Sequence, residues 1–306
     1  MSKRSLQSGL LALGLLAALG GHAMAAWPED VSTRALGMGG ALRGAATGDA
    51  GPMLNPSGMG LARAYAVEAR YQLTQNETSH RPHLSIVDST SAFRIAGGAY
   101  YTYLNAKPGI SKLSGHEGGV ALAVPFGERV FVGGQIKYLR LTTESPAVAP
   151  TVTGEKDKLS GFNFDLGATV RPVDQLSIGG VVYNLNDQKT PLTPFSAGGG
   201  VTFMPLPVVT VTFDTVVDFT TYDDKAGNKT SLMGGAEYMT PNGVAVRVGG
   251  GKNGVRDAGY LSAGASAVSE LGALDIGFSR DISGGSKFTV FAISLRLFAA
   301  TPIDPG

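Results

Sequence analysis

Phe162-Asn163-Phe164-Asp165-Leu166-Gly167-Ala168-Thr169-Val170 sets Phe, Phe, Leu, Ala and Val on one face of an extended chain, with Asn, Asp, Gly and Thr on the other. Successive side chains of a strand point to opposite faces, so this period of two defines a strand with one apolar and one polar side. Val209-Thr210-Val211-Thr212-Phe213-Asp214 repeats the pattern, as does Phe291-Ala292-Ile293-Ser294-Leu295-Arg296-Leu297. Runs of this kind occupy 65–75, 81–88, 92–105, 116–125, 129–144, 159–171, 175–186, 195–205, 207–221, 229–240, 243–251, 258–268, 271–281 and 286–298. The stretches DSTS, PFGE, RPVD, MPLP, TPNG and SELG join them tightly, while the connections near 106–115, 145–158, 187–194, 222–228, 252–257 and 282–285 are mostly longer and more polar. An even number of strands with tight turns on one side and longer loops on the other describes an all-β fold: a 14-stranded antiparallel transmembrane β-barrel of the bacterial outer membrane.

The placing of charge sharpens this reading, because Arg or Lys on a lipid face costs up to ~2–4 kcal/mol at the bilayer midplane. The alternation puts Glu68, Arg70, Arg94, Lys137, Asp165, Arg171, Asp214, Asp218, Glu237, Arg247, Asp275 and Arg296 inward. The outward face reads Val67, Ala69, Tyr71; Phe93, Ile95; Val130, Val132, Ile136; Phe162, Phe164, Leu166; Val211, Phe213; Val244, Val246, Val248, with Arg140 the main charged exception. Tyr101, Tyr103, Tyr138, Phe219 and Tyr260 would form one aromatic girdle, and Phe126, Phe203, Tyr238 and Phe298 the other. A secreted β-sandwich alternates similarly, but it needs neither so many tightly joined strands nor a face so poor in charge.

Composition agrees. Gly supplies 44 of 306 residues and charged residues only 16%, against an ordinary ~25%. So much Gly disfavours helices, at about 1 kcal/mol per interior position. With 25 basic and 24 acidic residues, the chain is no strongly basic nucleic-acid binder, and zero Cys excludes thiol chemistry, disulfides and Cys-ligated zinc. Lys3 and Arg4, the apolar run from Gly9 to Gly21 and Ala23-Met24-Ala25 read as a secretory signal peptide cleaved after Ala25. No later window holds 18 uninterrupted apolar residues, so no transmembrane helix is expected. The organisation that follows is a signal peptide over 1–25, a lumen segment over 26–64, the barrel over 65–298 and a tail over 299–306.

Residues 26–64 do not alternate. Arg34-Ala-Leu-Gly-Met-Gly-Gly-Ala-Leu-Arg-Gly-Ala-Ala-Thr-Gly-Asp-Ala-Gly-Pro-Met-Leu-Asn-Pro-Ser-Gly-Met59 is built from small residues, with Leu36, Met38, Met53, Leu54 and Met59 seeking burial. Small side chains allow close backbone approach, which suits a plug inside a barrel better than a polar linker. ALGMGGA, then GDA, then NPSGM resembles the amino-terminal hatch of the FadL superfamily of outer-membrane barrels, with Gly37, Gly39, Gly40, Asp49, Asn55, Pro56 and Gly58 at the motif positions. The resemblance covers about 26 residues; Ser57 stands where Ala is usual, Met53-Leu54 replaces the customary aromatic, and the outer loops are short. It implies either a channel for hydrophobic small molecules such as fatty acids, or a PorV-like non-transporting barrel that serves a secretion or surface-motility machine through envelope protein partners. In the fatty-acid channels a kink in the third strand opens the wall sideways, and the resemblance puts this possible lateral opening at Gly97-Gly98; equally, paired Gly at 118–119, 133–134, 179–180, 234–235 and 249–250 is what repeated narrowing of the lumen would require.

Enzymatic chemistry finds no footing. The Gly-rich stretches sit mid-strand without a following helix, so neither a P-loop nor a dinucleotide fingerprint is present in context. His80 and His83, flanking Arg81-Pro82 on an expected loop, read as a solvated pair rather than metal ligands, and His116 is the other histidine beyond the signal peptide. No Ser-His-Asp site assembles, and Asp214 with Asp218 serve better as counter-ions than as an acid pair. No enzyme, cofactor or metal is expected. Six acidic against six basic inward groups give the lumen no sign, unlike an ion-selective pore. Glu237 with Arg247, and Lys137 with Asp165, are placed to pair across hairpins, closing the lumen to ions. Outer-membrane lipid is the expected partner of such a wall, and nucleic acid is not.

Overall fold

The computed structural model describes residues 31–75, 78–91, 95–107, 112–144, 156–186, 193–219, 227–285 and 287–299, the side chains of 156 and 157 apart. The expected signal peptide, residues 26–30, Phe93, Arg94 and the tail beyond 299 lie outside them.

Fourteen strands follow one another along the chain. They are β1 (Tyr65–Gln75), β2 (Ser79–Asp88), β3 (Ala96–Ala106), β4 (Lys112–Phe126), β5 (Val130–Glu144), β6 (Lys156–Val173) and β7 (Leu176–Tyr183). The second half comprises β8 (Ser196–Leu206), β9 (Val209–Asp218), β10 (Lys229–Met239), β11 (Val244–Asn253), β12 (Ala258–Val268), β13 (Gly272–Asp281) and β14 (Thr289–Phe298). Each pairs antiparallel with its sequence neighbours, and β14 closes on β1 from Ala66↔Phe298 to Gln75↔Thr289, so the barrel has no open edge. Closure matters because an unpaired edge in hydrocarbon would strand backbone N–H and C=O groups.

The alternation of the sequence becomes two surfaces. Phe213 is 67% exposed, Val248 64% and Val120 59%, and comparable apolar side chains ring the whole outer wall. A continuous apolar belt of this size belongs in lipid, not water. Two girdle assignments are corrected: the Tyr260 hydroxyl donates inward to the Gly39 carbonyl at 2.7 Å, and the Phe298 ring lies under the Arg296 guanidinium, 5.8 Å away. Their neighbours Leu261 and Leu297 take the outward positions instead.

The His80–His83 stretch is strand rather than loop, because the β1–β2 connection is confined to residues 76–78. The two histidines therefore point to opposite faces: His80 meets the Tyr71 hydroxyl at 2.5 Å, and His83 meets Thr102 Oγ1 at 2.7 Å inside. Pro82 has no N–H to give, and β2–β3 pairing skips from His80↔Asn105 to His83↔Thr102.

No bulge forms at Gly97-Gly98. Val87↔Gly98 and Asp88↔Gly97 on one side, and Gly97↔Leu122 and Gly98↔Ala121 on the other, continue the ladder without a register shift. A Cβ on Gly97 would meet nothing, whereas one on Gly98 would press on Met59 Sδ at 3.0 Å and Pro52 Cγ at 3.1 Å. Gly98 is small because the N-terminal segment leans on it. Gly97→Val should therefore leave yield, heat-modifiable gel mobility and uptake of a hydrophobic probe at wild-type level; loss of uptake in that single variant would return the exit to this strand.

Candidate functional site

Residues 31–62 leave the plane of the wall and fold into two short helices, Thr33–Gly37 and Gly51–Leu54, and three 3₁₀ turns, Arg43–Ala45, Gly48–Ala50 and Pro56–Leu61. Ser32 caps the first helix, its hydroxyl accepting from the Ala35 amide at 3.2 Å. Pro52 and Pro56 occupy early helical positions, where a missing N–H costs nothing. Met38, Leu42, Leu54 and Met59 have no exposure at all, and Leu36, Ala46 and Ala50 pack with Val290 and Ala292 of β14 in one apolar cluster. Each such large side chain stabilises the seat by about 1.5–3 kcal/mol.

The segment touches strands all round the ring, and a belt of inward-facing Gly makes this approach possible. Gly37 lies 3.1 Å from the Cα of Gly264 measured from the position of an added Cβ, and side chains at Gly235 or Gly249 would land on the Met38 backbone. At Gly179 one would strike the Arg43 carbonyl oxygen, and at Gly133 the Pro56–Ser57 peptide. Gly39 has φ +74°, which L side chains rarely adopt, and a Cβ there would also collide with Gly234 and Gly250 at 2.7 Å. Gly58 packs against the Ala46 backbone, while Gly40 takes φ +78° with only Met233 Sδ nearby, at 3.5 Å.

Two arginines of the segment, which strand periodicity does not single out, tie it to the wall. Arg43 is wholly buried: Nη1 sits 3.1 Å from Asp214 Oδ2, Nε donates to Tyr183 Oη at 2.9 Å, and the amides of Leu42 and Arg43 both donate to Asp214 at 2.8 Å. Arg34 forms a two-point bond with Glu237 at 2.6 and 3.0 Å, and from there an alternating chain runs along the inner wall from β10 to β14. Glu237 accepts from Arg247 at 2.6 Å, Arg247 reaches Asp275 at 3.3 Å, Asp275 holds Arg296 at 2.9 Å, and Arg296 returns to the segment at Asp49, 3.5 Å away. Burial by itself pushes the Asp49 carboxyl up, but Arg296 beside it holds the group below its usual value. Asn55 accepts from the Ser57 amide and hydroxyl at 3.2 and 2.7 Å and donates to the Arg43 carbonyl and Thr169. Ser57 Oγ lies 2.7 Å from Thr169 Oγ1, a bond that Ala at this position could not make.

Ten of the twelve expected inward charges thus fall into four sets, while Arg94 lies outside the described residues and Arg171 sits at the rim, 3.6 Å from Asp174. Glu237, Arg247, Asp275 and Arg296 form the chain just described. Glu68 and Arg70 of β1 are buried beside it, the Arg70 guanidinium donating to the Val31 carbonyl. Lys137 and Asp165 pair at 2.8 Å higher in the lumen, where Asp165 also accepts from the Asn184 amide at 2.8 Å. Asp214 and Asp218 do not work as a pair, since Asp214 is taken by the segment and Asp218 faces the opening above it.

That opening is a cavity of about 340 Å³ on the side of the longer connections. Its floor is the segment itself, through Val31, Leu36, Pro52 and Met53, continued by Met233, Phe288 and Val290. Its wall is polar and mostly paired, with Lys137–Asp165 on one side and Arg256–Asp281, 3.0 Å apart, on the other. Among the described residues no group of His, Asp or Glu could hold a metal ion. The arrangement can seat a small apolar molecule on the floor with a polar end against the wall.

Neither known family models nor curated sequences match this chain. Solved structures do. The toluene transporter TbuX of Ralstonia pickettii superposes with a TM-score of 0.67 at 14% identity, covering 89% of this chain and 99% of that one. The monoaromatic hydrocarbon channel CymD gives 0.68 at 16% identity over 88% and 97%, and a Pseudomonas aeruginosa FadL homologue 0.67 at 12% over 87% and 98%. At these identities the likeness is one of fold: a closed 14-stranded barrel of the kind that hydrocarbon channels use.

Proposed function

We propose that the chain is an outer-membrane channel for hydrophobic small molecules, fatty acids or aromatic hydrocarbons among them, and that residues 26–64 form its hatch. The cavity carries this reading, because it pairs an apolar floor with a polar rim in a volume suited to a small ligand. The fold-sharing structures named for toluene and monoaromatic transport point to the same class of cargo. The apolar outer belt supports the location, and the tight connections, with residue 299 beside β1, then face the periplasm. Ion pairs fill the lumen around the hatch, so passive ion flux is small.

The mature protein is expected to fractionate with outer membranes and to migrate faster on a gel unheated than boiled; recovery from the soluble periplasm would end the barrel reading. Uptake is tested with a fluorescent fatty acid and with toluene in cells expressing the chain. Saturable uptake of either supports the channel. Its absence, with a stoichiometric envelope protein in a pull-down, would favour the machine subunit instead.

A further inference from the structure

Charge on the lipid-facing wall is not evenly distributed. Among the described strand residues, the outward positions near the longer connections carry Lys112, Arg140, Lys158, Lys252 and Arg280 against Glu144 alone, and those near the tight turns carry Asp88. Lys252 is matched by Asp257 at 2.9 Å. Arg140 and Lys158 have no ion pair among the described residues, and both are exposed.

Strand register brings these two together. Tyr103↔His116, His116↔Arg140 and Arg140↔Ser160 form one outward row across β3 to β6, and Ser114↔Thr142 with Thr142↔Lys158 forms the next. Arg140 and Lys158 are thus diagonal neighbours, roughly 7–8 Å apart at the backbone. One row nearer the bilayer centre stand Tyr101, Tyr138 and Phe162, the last two with ring centroids 5.0 Å apart, and the Tyr101 hydroxyl meets His116 Nδ1 at 2.5 Å. Aromatics of this kind mark the hydrocarbon boundary, so the cations one and two rows beyond sit at headgroup depth. They are held there firmly: β4 and β5 have 15 residues and β6 has 18, beyond the ~9–11 that span a bilayer, and Leu113, Leu139 and Leu141 pack behind them inside the barrel.

We propose that Arg140 and Lys158, flanked by His116, bind a phosphate of a phosphorylated glycolipid in the outer leaflet. Two fixed cations above an aromatic ledge match an anionic headgroup whose acyl chains run down the apolar wall. The assignment rests on the outer-membrane reading, which fractionation tests by itself.

Full-length protein refolded in neutral detergent is incubated with lipopolysaccharide, with its dephosphorylated form or with phosphatidylglycerol, and bound lipid is counted by native mass spectrometry. Wild type should retain phosphorylated lipopolysaccharide in preference to the other two. R140Q/K158Q, with heat-modifiable mobility intact, should bind about twenty-five-fold more weakly, from about one factor of five per cation, while K252Q behaves as wild type. Equal binding by a folded R140Q/K158Q variant or by the dephosphorylated lipid would overturn the phosphate site, and equal retention of phosphatidylglycerol would overturn the glycolipid assignment.

Discussion

Asp214→Ala is expected to unseat the N-terminal segment and convert a closed barrel into a conducting one. Asp214 accepts both backbone amides of Leu42 and Arg43 and neutralises a guanidinium with no exposure to solvent. Removing one partner of such a buried pair costs about 3–5 kcal/mol, since the other charge is left without a counter-ion. That is roughly two to three and a half orders of magnitude in the seated population, on the order of 1.4 kcal/mol per factor of ten. The strands keep their ladder bonds, so the variant should still migrate as a folded barrel. Planar-bilayer recordings should show single-channel conductance well above wild type, close to that of a chain lacking residues 31–62. Conductance unchanged from wild type would mean that Asp214 does not hold the segment in place.

Gly249→Val should act as strongly by a different route. Its added atoms would overlap the Met38 carbonyl carbon and the Gly39 amide, while Gly234 O lies 2.9 Å away on the wall side. Neither is a side-chain end that can rotate aside. The segment has to leave its seat near β11, and the Arg34–Glu237 bond goes with it. Limited proteolysis reads this directly: cleavage within residues 31–62 should rise sharply in the variant and stay at background in Gly97→Val, whose added atoms meet nothing. Equal protection in both would show that the glycine belt is slack.

How far the sequence revealed this arrangement depended on whether the interaction was local. Strand existence and facing follow from the period of two, and the inward charges among the described residues are separable because charge at the bilayer midplane is costly. Pairings across one hairpin, Glu237 with Arg247, could be read from a turn of known length. Arg43 with Asp214 could not, since they are 171 positions apart and only closure of the ring brings them together. A signal existed nonetheless: Arg34 and Arg43 are cations in a segment of small and apolar residues meant for burial, and each needs an acid. Tyr260 and Phe298 were misplaced because an aromatic near a strand end suits a girdle, although parity with Leu261 and Leu297 sent both inward. In each paired Gly only one member narrows the lumen, as Gly249 does beside Gly250, and sequence offers no way to see which backbone would come to rest against it.

The spacing between partners also orders assembly. The segment is synthesised before every strand of the barrel, yet it leans on Gly264 and Gly277 of β12 and β13 and is tied to Arg296 of β14, the last strand. Of those supports, the Arg296 tie is not available until β14 is made. The strands β4 to β9 offer the segment a partial seat as they form, but its full set of ties, ending on Arg296, is complete only when the last strand closes the cylinder, so closing the wall and filling its bore finish together.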